Sequence, residues 1–272
     1  MRSSTPFDRN LRFLGMIALI AGFAILATLQ HAFFKITRRN EAALYRAKAR
    51  WIGIQSRLAL RLLKIGVRFR GAETLSQPGG LIVCNHLSYI DILILSSQMP
   101  ALYITSVETG SQGWIGRLCR IAGCVFVERR NPAALKHEIG RIETLLRDGI
   151  PVVLFPEATS TDGSDVLPFK SGLYECALGS KTPIHSFCIR YAPHASGVPY
   201  HGDMTLLPHL YELCDGLPRI ATLEYLDTLP PSDTLERKDA ARKTHTRIRN
   251  AYVSRMARTR TVEIRTQPGM QA

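Results

Sequence analysis

Leu81-Ile82-Val83-Cys84-Asn85-His86-Leu87-Ser88-Tyr89-Ile90-Asp91 decides how this chain is read. Its first four residues form an apolar run of strand length, the pattern of a short buried strand. Ser88 stands where a helix N-cap belongs, ahead of Tyr89-Ile90-Asp91-Ile92-Leu93. The loop between strand and helix then holds an imidazole, with a carboxylate one helical turn beyond it. Histidine is the side chain best suited to taking up a proton near neutral pH. A carboxylate in reach of its other nitrogen fixes the tautomer and stabilises the imidazolium. This is the base half of a hydrolytic triad, and no serine of the nucleophile-elbow type follows it. An enzyme with a base and no nucleophile of its own can activate a substrate hydroxyl instead. A plainer reading stands beside this one: Ser88-x-x-Asp91 is also a capping-box variant, in which Asp91 only stabilises a helix start. The place at a strand's carboxyl end favours a site, because open α/β sheets bind ligands there.

Outward from this stretch, strand and helix patterns alternate from Gly80 onward, which predicts a mixed, largely parallel α/β sheet flanked by helices. Strands are expected at Leu102–Thr105, Cys124–Val127, Val152–Phe155, Ile184–Ile189 and Ile220–Leu226. Helices are expected at Trp114–Ala122 and Ser171–Leu178. Another has Asn131 as cap, Pro132 opening it and Gly149 as its stop. Ser232 or Asp233 is expected to cap a charged helix running towards Met256.

The N-terminal part reads differently. Phe13 to Phe34 carries no charge, is rich in Leu, Ile, Ala and Phe, and is long enough to cross a bilayer. It lacks the short apolar core and cleavage site of a secretory signal, so an uncleaved membrane-anchoring helix is expected. Arg2, Arg9 and Arg12 precede it; Lys35, Arg38, Arg39, Arg46, Lys48 and Arg50 follow. The heavier positive load behind the helix predicts an inner (cytoplasmic) membrane protein whose domain faces the cytoplasm. Gln30 and His31 near its end leave room for a helix that dips into one leaflet. In Trp51–Lys64, Arg57, Arg61 and Lys64 fall at helical spacing and make one basic face. That face suits an anionic membrane surface, or else an ordinary amphipathic helix packed on the domain. The preceding anchor tips the reading to the membrane. The expected division is an anchor and basic helix at 1–65, a catalytic domain at 66–256 and a disordered tail at 257–272.

With 272 residues and a formal net charge of +13, the chain suits one α/β domain plus an appended segment. Its six cysteines form no C-x-x-C pair and sit mostly in apolar runs, as reduced buried thiols do. Cys84, beside the Asn-His pair, reads as core packing because nothing nearby depresses its pKa. No metal is implied: His185, His194, His201 and His209 lack the spacing of a helix-borne zinc site. Tyr200-His201-Gly202-Asp203-Met204 reads as a polar loop. The basic charge alone also fits a nucleic-acid binder, supported by Arg237, Lys238, Arg242, Lys243, Arg247 and Arg249. No zinc spacing or aromatic-basic motif accompanies those residues, so no nucleic-acid partner is expected. A thioesterase using His86 to activate water, and a silent scaffold, are further rivals.

Two more clusters lie at strand ends. Gly123-Cys124-Val125-Phe126-Val127-Glu128-Arg129-Arg130 puts two arginines just after a strand, suited to a phosphate or carboxylate or, equally, to a solvated surface. Phe155-Pro156-Glu157-Ala158-Thr159-Ser160 puts a carboxylate and two hydroxyls after a buried strand; its plain reading is a turn whose hydroxyls cap local backbone. Lys170 in Leu167-Pro168-Phe169-Lys170-Ser171-Gly172 adds a cation, or is only a surface lysine.

Taken together and in order, Asn85 to Asp91, Gly123 to Arg129, Phe155 to Ser160 and, loosely, Thr182-Pro183-Ile184 resemble the motif blocks of the glycerolipid acyltransferases. The likeness is to the 1-acylglycerol-3-phosphate acyltransferase (PlsC-like) type, over about Gly66 to Leu229. The resemblance implies that His86 is general base on an acceptor hydroxyl and that Asp91 orients it. The hydroxyl then attacks the thioester of acyl-CoA or acyl-carrier protein, with no acyl-enzyme and no cofactor. It further implies substrate-binding roles for Asn85, Arg129 (anion binding), Glu157 (organising the acceptor site), Thr159 (an oxyanion donor, with loop N–H groups), Ser160 and Lys170. The partners implied are a membrane lipid acceptor, the acyl donor and an anionic membrane surface. Two departures matter. Ala158 replaces the usual glycine, and Ser160 stands where many relatives carry arginine, which weakens grip on a phosphorylated acceptor unless Arg129, Arg130 and Lys170 compensate. Thr161-Asp162-Gly163 and Val166 to Lys170 look similar to bacterial enzymes acylating either lysophosphatidate or lyso-ornithine lipid. Lysophosphatidate is the first acceptor expected, lyso-ornithine lipid the alternative.

Overall fold

The computed structural model describes residues 5–36, 41–72, 79–128, 131–193 and 196–266. Strands β1 (Ile65–Arg70), β2 (Leu81–Cys84), β3 (Leu102–Ser106), β4 (Val125–Val127), β5 (Val152–Leu154), β6 (Ile184–Ala192) and β7 (Arg219–Leu229) form one sheet in the order β1-β7-β6-β2-β5-β3-β4. Every pairing is parallel except β6 with β7. The sheet is therefore mixed and largely parallel, as the alternating pattern predicts. Leu81, Ile82, Val83 and Cys84 of β2 are at most 1% exposed, which is why the strand is an unbroken apolar run rather than an alternating one. Each such side chain contributes about 1.5–3 kcal/mol through burial.

Helices α1 (Pro6–Ile36), α2 (Glu41–Leu62), α3 (Ile90–Gln98), α4 (Val107–Ser111), α5 (Gly113–Ala122), α6 (Pro132–Arg147), α7 (Glu175–Ser180), α8 (Leu206–Leu213) and α9 (Arg237–Thr266) surround it. Asn131 caps α6 as its sequence predicts, accepting from the amides of Ala133 and Ala134. The strand β1 and the short helices α4 and α8 carry no clear sequence signal. In β1 burial alternates along an edge strand rich in arginine.

The N-terminal region holds the expected apolar helix, with contacts to the domain that the sequence does not show. Thr5 and Asp8 form a capping box: the Asp8 amide donates to Thr5 Oγ1 and the Thr5 amide to Asp8 Oδ2. α1 therefore starts at Pro6, ahead of the apolar run. It is long and apolar enough to cross a membrane, and Leu14, Ile25, Leu29 and Phe33 stand exposed. Its N-terminal half is nevertheless held by the domain. Phe13 meets Tyr211 edge to face at 5.3 Å, Arg12 donates to the Cys214 carbonyl after α8, and Gly15 lies beside Leu62 of α2. α1 and α2 thus form an antiparallel hairpin.

α2 carries most of the basic Trp51–Lys64 segment, and one of its faces is held by the domain. It packs on α3 so tightly that a Cβ on Gly53 would lie 2.8 Å from the Ser96 carbonyl oxygen. Arg57 Nη1 donates to the Ser97 carbonyl at 2.9 Å, satisfying a C-terminal carbonyl of α3. Arg61 and Lys64 remain exposed. The start of α9 differs from expectation. Ser232 Oγ accepts from the Thr234 amide in a local turn, and the helix begins at Arg237. It continues to Thr266, so 257–266 extend the helix past Met256; residues 267–272 of the expected tail lie outside the described residues. So do Arg2, Arg38, Arg39, Arg129, Arg130 and His194.

Candidate active site

β2 and β5 are neighbouring parallel strands, with Leu81 opposite Val152 and Val83 opposite Leu154. The residues following them therefore emerge side by side at the carboxyl edge of the sheet, where α/β proteins place their sites. This brings Asn85–Asp91 against Phe155–Ser160, two segments about 70 residues apart in sequence.

His86 Nδ1 lies 2.9 Å from Asp91 Oδ2. Asp91 is fully buried and His86 is one-fifth exposed. The same Asp91 oxygen accepts from the Leu87 amide at 2.6 Å and the Ser88 amide at 2.9 Å, and Oδ1 accepts from the Tyr191 hydroxyl. The capping and the His-orienting readings of Asp91 are thus both realised by one carboxylate. Three donors besides the imidazole hold it as an anion, so His86 Nδ1 carries the hydrogen facing it and Nε2 is left as the acceptor nitrogen. The imidazole stacks on Phe155, centroids 4.1 Å apart at 15°. Ser88 Oγ accepts from the Ile90 amide at 3.3 Å, and α3 begins at Ile90, one residue later than the sequence predicts.

The remaining motif residues mostly hold backbone. Asn85, with no exposed surface, bridges to β6, accepting from the Ile189 amide at 2.8 Å and donating to its carbonyl at 3.0 Å. Glu157 is 4% exposed; Oε1 accepts from the His86 amide at 2.6 Å and Oε2 from the Leu167 amide at 2.8 Å. Burial outweighs those two donors and pushes its pKa up to about 7. Ser160 Oγ donates to the Tyr200 carbonyl, while the Tyr200 amide donates to Leu87 O at 2.8 Å. The 196–204 loop is fastened across the His86–Asp91 turn in this way. Ala158 sits at φ +64, the left-handed region where glycine is the unstrained choice. Thr159 is exposed, its hydroxyl donating to Ser160 O at 3.3 Å. Lys170 is exposed; its amide binds Pro156 O and leaves the ammonium in solvent beside the turn.

Beneath α3 an apolar cavity of about 270 Å³ lies between the hairpin and the domain. Met16 and Phe23 of α1, Ala59 of α2, Leu93 of α3, Tyr103 of β3 and Leu118 of α5 line it, and Tyr89 and Ile90 connect it to the His86–Asp91 turn. Sequence periodicity gives no sign of this cavity, whose walls come from helices far apart in the chain. Tyr191 was likewise invisible: it belongs to no motif block, and only the register of β6 against β2 brings it to Asp91. Burial pushes the Cys84 thiol well up, with the Asp91 charge adding to it, in keeping with a packing role. Among the described residues no cluster of His, Cys, Asp and Glu is arranged to hold a metal ion.

Residues 66–190 match the family model described as Acyltransferase. A lyso-ornithine lipid O-acyltransferase of Pseudomonas aeruginosa is 30% identical over 93% of this chain and 95% of its own. One from Rhizobium meliloti is 30% identical over 74% of each chain. A 1-acyl-sn-glycerol-3-phosphate acyltransferase of Neisseria gonorrhoeae is 31% identical over 49% of this chain and 52% of its own. Among solved structures, the 1-acyl-sn-glycerophosphate (LPA) acyltransferase PlsC from Thermotoga maritima superposes with a TM-score of 0.59. That match covers 95% of this chain and 100% of that one at 16% identity, a likeness of fold. Ordered motif blocks, a shared fold and relatives matched along most of their length agree: the chain belongs to the PlsC-type acyltransferase family.

Proposed function

We propose that this acyltransferase moves an acyl chain from a thioester, of coenzyme A or carrier protein, to the hydroxyl of lyso-ornithine lipid at a membrane surface. His86 Nε2 takes the hydroxyl proton as the oxygen attacks the thioester carbonyl. The tetrahedral oxyanion collapses, the C–S bond breaks, and the thiolate receives the proton from His86. Asp91 keeps the ring oriented and balances the imidazolium. The exposed Thr159 hydroxyl and nearby loop amides are the candidate oxyanion donors.

The observation carrying the choice of acceptor is Ser160. It stands at the position of a common family arginine, and its hydroxyl is committed to the Tyr200 carbonyl. That position therefore supplies no charge for a phosphate. The longer matches to lyso-ornithine lipid O-acyltransferases support the same choice. Lysophosphatidate remains the second reading, with Arg129 and Lys170 as the cations that favour it. The apolar cavity reaching the catalytic turn suits an acyl chain. Because both α1 and its hairpin partner α2 are fastened to the domain, α1 lies in one leaflet in this reading rather than crossing the bilayer.

The test is acyl transfer by purified wild-type and His86→Ala protein, with labelled acyl-CoA and acyl-carrier protein, to both acceptors in parallel. Transfer to lyso-ornithine lipid that is lost in the variant is expected. Preference for lysophosphatidate would overturn the acceptor, and activity retained by His86→Ala would overturn the base.

A further inference from the structure

Tyr191 stands on β6, four residues beyond Phe187, the partner of Cys84 at the end of β2. β6 overruns the shorter β2, and this carries the Tyr191 ring to the far side of Asp91 from His86. Its hydroxyl donates to Asp91 Oδ1, the carboxylate oxygen that the imidazole and the loop amides do not use. Both side chains are buried, Asp91 completely and Tyr191 to 6% exposure.

We propose that Tyr191 is a positioning residue for the acyl transfer, a third member of a Tyr191–Asp91–His86 relay that sets how strongly the carboxylate stabilises the imidazolium. The role rests on His86 being the general base. A buried carboxylate oxygen without a donor concentrates its charge on the remaining contacts. With Tyr191 in place that charge is shared, so Asp91 orients His86 without making it too basic to return its proton to the thiolate. Burial, and after it the Asp91 charge, push the phenol well above its ordinary range, so it stays protonated and acts only as a donor.

The other titratable groups that feel the Asp91 charge are Cys84 on β2, Tyr103 on β3, Glu157 after β5 and Tyr252 on α9. Burial pushes the thiol and both phenols up, so they stay neutral. Glu157 is pushed up to about 7 by burial first, with the Asp91 charge a lesser cause.

The experiment is the pH profile of kcat/KM, with kcat and KM separately, for Tyr191→Phe in the full-length protein. Removing the donor makes Asp91 the stronger partner of His86. The acid limb, where the base must lose its proton, should therefore move up by about one pH unit, and kcat at neutral pH should fall about tenfold with KM unchanged. A 3-fluorotyrosine at position 191, a stronger donor with the packing kept, should move the limb down. Tyr174→Phe serves as control: it loses a buried hydroxyl bonded to Thr244 rather than to Asp91, and should leave the limb in place. An unmoved limb in both position-191 variants, with Asp91→Asn inactive, would overturn the relay and leave the base intact. An active Asp91→Asn would overturn both.

Discussion

Replacing Glu157 by glutamine tests whether this carboxyl is a buried clamp or a charged ligand of the acceptor. In wild type both oxygens accept backbone N–H groups, from His86 and Leu167. The amide of glutamine keeps one acceptor and turns its NH₂ towards the other N–H, at a cost of about 1–3 kcal/mol for the donor left unpaired. Superimposed on this is a pH dependence that only the wild type has. Burial raises the folded-state pKa from 4.5 to about 7. The stability associated with the protonated form is fully present below about pH 4.5 and is lost as pH rises through 7. At about 1.4 kcal/mol per pH unit this amounts to about 3 kcal/mol. The gap between wild type and Glu157→Gln should therefore be widest near pH 5 and narrow by about that amount by pH 8. Urea unfolding of both proteins in the same detergent, followed by the fluorescence of Trp51 and Trp114, gives the gap at each pH and cancels groups common to both. A gap that stays constant, or widens with pH, would refute the reasoning. It would mean that the two N–H donors outweigh burial and hold Glu157 as an anion.

Asn85→Ala should destabilise the protein by about 2–4 kcal/mol, since it strips partners from both the amide and the carbonyl of Ile189 in the core; wild-type stability in urea would refute the bridge. Ala158→Gly should stabilise it by up to about 1 kcal/mol by relieving the positive φ, less the entropy glycine adds to the unfolded chain; a lower unfolding midpoint would contradict the strain. Ala59→Phe, at a 4%-exposed position on the cavity wall, should shift preference towards shorter acyl donors, read as relative kcat/KM across chain lengths; an unchanged profile would place the chain elsewhere.

The sheet class and the His86–Asp91 turn were legible because their signals are local. An apolar run of only four residues with no alternation reads as a short strand buried on both faces, and Asn85-His86 follows it within the same eleven residues as Asp91. The geometry of a helix start, in which a residue three positions on reaches back to the N-cap, then places that carboxylate without knowledge of the rest of the chain. The order of the later blocks added the family for the same reason, each block being a strand end with its own turn.

What the sequence left open depends on which strands become neighbours. Glu157 and Ser160 look like free polar groups in a motif; only the pairing of β5 with β2, and the fall of the 196–204 loop across them, turns their side chains onto backbone. Arg57 reads as one of three cations on a membrane face until α3 presents an unpaired carbonyl to it. Tyr191 and the apolar cavity have no sequence signature, because one depends on how far β6 overruns β2 and the other on helices that meet only in three dimensions. Local chemistry is set by spacing along the chain. Which polar group finds a partner, and which stays free to meet a substrate, is set by long-range packing, because a buried donor or acceptor takes whatever the tertiary fold brings within reach.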